Sequence, residues 1–104
     1  MLLNRLISDI RNYRYPDDIA LTHALDAGPG DRDGLCFLAG YSCREQSFSL
    51  YLFRDEGKLM FYFFLDNDES DQPDRFILLS GTMEHYRTAL LWIRTTAGEN
   101  NNQI

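Results

Sequence analysis

Lysine and cysteine are scarce in this chain, close pairs of metal ligands are lacking, and no apolar run is long. Cys36 and Cys43 are the only cysteines, too few for a disulfide framework, and both lie in apolar surroundings that suit small buried hydrophobes. The longest apolar stretch, residues 59–65, falls far short of the roughly 20 residues that span a bilayer as a helix. Asn4 and Arg5 interrupt the apolar start, so no secretory signal is expected and a cytoplasmic location is. His23, Cys36, Cys43 and His85 stand singly, whereas zinc sites draw on ligands at short spacings. The glycine-rich stretch 28–34 lacks the glycine spacing and the Lys-Ser/Thr pair of a phosphate-cradling loop, and its Asp31 and Asp33 repel phosphate. Asp55 and Glu56, like Asp31 and Asp33, fall in turn-like stretches where acids serve conformation. The expectation is therefore no metal, no cofactor and no enzyme.

What the chain does contain is an ordinary globular balance, 44% hydrophobic and 25% charged over 104 residues. That suits one domain, residues 1–98, with 99–104 as a disordered tail. The net charge of -6 disfavours nucleic acid and anionic membranes and favours a basic protein as partner. Arg5, Arg11 and Arg14 make the N-terminal segment locally basic, and Lys58 is the only lysine.

Residues 48–65 organise the rest. Two β-rich aromatic runs, 48–53 and 58–65, flank the polar segment Arg54, Asp55, Glu56 and Gly57, the pattern of a hairpin whose glycine takes a positive φ. A four-residue loop, with Phe53 opposite Lys58, places Phe48, Leu50 and Leu52 on one face with Leu59, Phe61, Phe63 and Leu65. That face is wholly apolar. The other carries Ser47, Ser49, Tyr51, Phe53, Lys58, Met60, Tyr62 and Phe64, too apolar for simple solvation. Either a helix of this chain or a partner covers it.

Before the hairpin, Leu2, Leu3, Leu6, Ile7 and Ile10 form one stripe of an amphipathic helix over residues 2–13, ended by Tyr15 and Pro16. Acids at 17–18, alanines within and glycine after the end favour a second, shorter helix to residue 27, although Ile19, Leu21, His23 and Leu25 also alternate as in a strand. Residues 35–41 form a short apolar strand and 42–46 a turn into the hairpin. After the hairpin, residues 66–74 form an exposed acidic loop and 75–79 a fourth strand. Thr82 caps a final helix over 83–97, whose stripe includes Met83, His85, Tyr86, Ala89, Leu90, Trp92 and Ile93. The fold class is α+β: an antiparallel meander of three or four strands, with one or two N-terminal helices and a C-terminal helix packed on the sheet.

Asp66, Asp68 and Ser70 fall at the first, third and fifth positions of a calcium loop. The match then fails, because Asp71 stands where glycine makes the turn and Ile77 where a bidentate glutamate is needed. Tyr51, Met60, Tyr62 and Phe64 are the more informative group, since tyrosine and methionine suit a surface that is wet before a partner buries it. With the acids Asp66, Asp68, Glu69, Asp71 and Asp74 they form a candidate partner-binding site. In size, acidity and element order the chain resembles two bacterial groups of small binding proteins, immunity proteins that neutralise a toxin and chaperones that hold a secreted effector. The first implies an inhibitor of a basic, nuclease-like toxin. The second implies a homodimer that binds an extended client segment. A small enzyme or metal-binding protein using His23, His85 and the cysteines is the third reading.

Overall fold

The computed structural model describes residues 2–23, 37–66 and 75–101. Helix α1 spans Leu2–Arg11, and its residues Leu3, Leu6, Ile7 and Ile10 are buried while Asn4, Arg5, Ser8 and Asp9 are exposed. The helix stops at Arg11, two residues earlier than expected. Its last turn tightens through a bond from the Tyr13 amide to the Ile10 carbonyl of 3.2 Å.

The expected second helix is absent among the described residues. In its place the Ile19 amide closes a turn onto the Pro16 carbonyl at 3.1 Å, and Ala20–His23 forms strand β1. Tertiary burial overrides the helical signals here. Ile19 is buried, Leu21 pairs with Tyr41 in the sheet, and Asp18 bonds through both carboxylate oxygens to Arg94, at 2.8 and 3.0 Å, instead of capping a helix. Residues 24–27 lie outside the described residues.

Strands β2 (Phe37–Cys43), β3 (Gln46–Asp55), β4 (Lys58–Leu65) and β5 (Phe76–Ser80) complete a sheet of five strands, one more than the largest number expected. Each strand is antiparallel to the next, in the order β1-β2-β3-β4-β5. The fifth strand is β1, so the extra strand and the missing helix are one correction.

Both central turns are tighter than expected. Cys43 pairs with Gln46 and Asp55 with Lys58, leaving two-residue loops at 44–45 and 56–57. Arg44, Glu45, Glu56 and Gly57 all have positive φ, between 51° and 82°, the backbone that matches two-residue hairpins to strand twist. Shortening the 54–57 loop to 56–57 moves the pairing by two residues, so Phe53 faces Met60 and not Lys58. A two-residue shift preserves side-chain parity. The inner and outer sets of residues expected for the hairpin therefore hold.

Helix α2 spans Met83–Asn101. The Thr82 hydroxyl accepts from the His85 amide at 3.2 Å, and the Thr82 carbonyl from the Tyr86 amide at 2.8 Å, the expected cap. The helix passes the expected stop at Ala97 and Gly98. Arg44 lies across Gly98, and Glu99 bonds Arg75 at 2.7 Å, so tertiary contacts hold the last turns.

The helices bury the inner sheet face. Tyr41, Phe48, Leu50, Leu52, Phe61 and Phe63 pack there with the α1 stripe and with Tyr86, Ala89, Leu90, Ile93 and Ala97 of α2. Trp92 meets Phe48 edge-on, with ring centroids 5.8 Å apart.

Candidate functional site: the outer face of the sheet

The outer face is built in cross-strand rows. One row runs Leu38, Tyr51, Tyr62 and Leu78 across β2 to β5, a second runs Ser49, Phe64 and Phe76, and a third pairs Phe53 with Met60. The register brings the aromatic rings into contact. Tyr62 and Phe64 have centroids 5.0 Å apart, Tyr51 and Phe64 5.6 Å, and Tyr62 and Phe76 5.8 Å. The first two pairs are tilted and the third is edge-on, and aromatic pairs at such separations attract beyond their buried area. Leu38 is 43% exposed, Phe76 52%, Leu78 51% and Tyr51 38%. Among the described residues no element lies over this face, because both helices pack on the other.

Of the expected site, Tyr51, Met60, Tyr62 and Phe64 come together here. Asp66 follows β4 at the margin, where its carboxylate accepts a 2.8 Å bond from the Ser49 hydroxyl and its amide donates to the Ser47 carbonyl at 2.9 Å. Asp68, Glu69, Asp71 and Asp74 lie outside the described residues. Leu38, Phe76 and Leu78 belong to the same surface and were not among the expected site residues. Their strands are apolar at both parities, so alternation did not reveal which side faces out; only pairing with the hairpin does.

The inner side carries a different polar feature. Tyr86 lies between Tyr15 and Tyr41, its hydroxyl oxygen 2.6 and 2.7 Å from theirs, and the Tyr15 hydroxyl donates to the Ile10 carbonyl at 2.9 Å. Since each phenol has one proton, the chain has one direction: Tyr41 donates to Tyr86, Tyr86 to Tyr15, and Tyr15 to Ile10. Burial pushes all three phenols above their ordinary value, so they stay protonated and act as a structural relay of hydrogen bonds.

Other candidate groups are apart. Cys43 is buried and its thiol is raised, mainly by desolvation and next by the Asp18 charge, which disfavours the reactive thiolate. Cys36 lies outside the described residues. His85 shares a 2.9 Å bond between Nδ1 and the Thr82 hydroxyl at the start of α2. Among the described residues no three His, Cys, Asp or Glu side chains are grouped to hold a metal ion, and no helix is long and apolar enough to cross a membrane. Comparison with protein-family models, with curated proteins and with solved structures finds no match.

Proposed function

We propose that the protein is a protein-binding module whose outer sheet face docks a basic partner, most concretely as an immunity-type inhibitor of a nuclease-like toxin. One observation carries this reading: Tyr51, Tyr62, Phe64 and Phe76, their rings in tilted and edge-on contact, with Leu38, Leu78 and Met60 beside them, form a continuous amphipathic surface uncovered by either helix. Interface cores favour such residues, because tyrosine and methionine bury apolar area while tolerating water beforehand. The net charge of -6 supplies the long-range attraction to a cationic partner.

The test uses tagged wild type beside the double variant Tyr51→Ala/Tyr62→Ala, both shown to unfold cooperatively. Each is used to capture partners from native lysate, and the captured protein is identified, purified and titrated. A basic partner whose affinity falls about thirtyfold or more in the variant, as expected on losing one hot spot of about 2 kcal/mol, supports the proposal. A homodimer in sedimentation that the variant dissolves assigns the face to self-association and overturns it. So does a partner that binds both forms equally.

A further inference from the structure

On the helix-bearing side, α1 and the tip of the β3–β4 hairpin enclose a cleft of about 760 Å³, within the ~300–1,000 Å³ range of small-molecule sites. It is independent of the docking face. Leu3 and Leu6 of α1, both almost fully buried, and Leu59 of β4 form its apolar floor, and Arg5 and Arg54 bring positive charge, with Lys58 at the rim on the hairpin's outer parity. Arg54 and Leu59 are direct cross-strand partners, on the same inner side as Leu52 and Phe61. A guanidinium and an apolar wall thus stand side by side at the cleft.

The local charge is the reverse of the molecule's. The chain has 16 acids against 10 lysines and arginines, yet Arg5 and Arg54 line this cleft with Asp9, the one acid among the described lining residues. Gly57, at the hairpin tip, also lines the cleft, and where a side chain on it would begin nothing lies within 4 Å. Gly81, by contrast, presses on Leu59, whose backbone lies 3.1 Å from the place a Cβ would take. That contact brings the β5–α2 turn in as a third wall.

We propose that this cleft binds a small amphiphilic anion: an apolar body seated on Leu3, Leu6 and Leu59, with one carboxylate or phosphate head held by Arg5 and Arg54. Planar guanidinium groups match both heads in bidentate geometry, and neither the leucines nor the cations alone account for the pairing of the two chemistries.

The test titrates the full chain with decanoate, decyl phosphate, decanol and acetate, below micelle-forming concentrations, and follows backbone amides by NMR. Saturable shifts at Arg5, Gly57 and Gly81 are expected with decanoate or decyl phosphate, and the stronger of the two identifies the head group. Decanol and acetate should each bind at least about tenfold more weakly. Arg5→Gln/Arg54→Gln should weaken the anions by at least about tenfold while leaving decanol unchanged; Arg5→Gln alone, on the exposed face of α1, serves if the double variant fails to fold. Equal affinity for decanol and decanoate, shifts confined to the strands around Tyr51 and Tyr62, or no saturable shift overturns the proposal.

Discussion

Tyr86 is the residue whose single change tests the interior most sharply. Its hydroxyl accepts from Tyr41 and donates to Tyr15, so Tyr86→Phe strands the Tyr41 proton and removes the donor to Tyr15. Tyr41→Phe, at the donor end, removes one bond and strands no proton. A buried group left without its partner costs about 1–3 kcal/mol. Urea unfolding should therefore show a loss of that size for Tyr86→Phe and a smaller one for Tyr41→Phe; the reverse order means the chain runs the other way. Asp18 gives the pH counterpart. The Arg94 hydrogen bonds hold its carboxyl below the ordinary value of 3.8, so its contribution is present above that pH and lost as pH falls through the depressed folded value. The pair is partly exposed, which keeps the contribution modest. Asp18→Asn should lower the thermal midpoint most at neutral pH, with the gap from wild type closing on acidification. Neither contact was legible in the chain, since 71 residues separate Tyr15 from Tyr86 and 76 separate Asp18 from Arg94.

The turns are the elements where local preference and observed backbone disagree. Arg44 and Glu45 both occupy positive φ, at 51° and 65°, in a two-residue loop where asparagine and glycine are favoured. A non-glycine residue there costs roughly 1–2 kcal/mol. Glu45→Gly should raise stability by about 0.5–1 kcal/mol, less than the full strain because glycine also loosens the unfolded chain; urea titration measures it. This mismatch is why the turn was expected to be longer. Only sheet pairing on both sides forces two residues with side chains into the left-handed region. The same competition decided β1, where Asp17, Asp18 and the alanines speak for a helix, and the alternation of Ile19, Leu21 and His23 for a strand. An exposed edge of β2 was available, and pairing with it settled the matter.

At the scale of the molecule, the proposed docking function divides its work between charge and shape. On that proposal the acidic excess acts at a distance and the aromatic face at contact. Reversing Asp66 and Asp71 to lysine should slow association with a basic partner and flatten its dependence on salt, with a smaller effect on dissociation; stopped-flow measurements at two ionic strengths separate these. An unchanged on-rate removes the acidic segment from the mechanism. Alanine at Tyr51 and Tyr62 should act the opposite way, mainly by speeding dissociation.

The sequence by itself determined the α+β class, the N-terminal helix, the capped C-terminal helix and the two faces of the hairpin. Each follows from a short-range period or a local cap, and the faces survived a wrong loop length because only parity mattered. The tertiary structure decided which face the two helices leave uncovered. Three amphipathic segments were read for one sheet, and the side on which each packs depends on chain crossings that no local period encodes. Once residues 20–23 joined the edge of the sheet and both remaining helices packed on the inner side, Tyr51, Tyr62 and Phe64 were left facing outward with Leu38, Phe76 and Leu78.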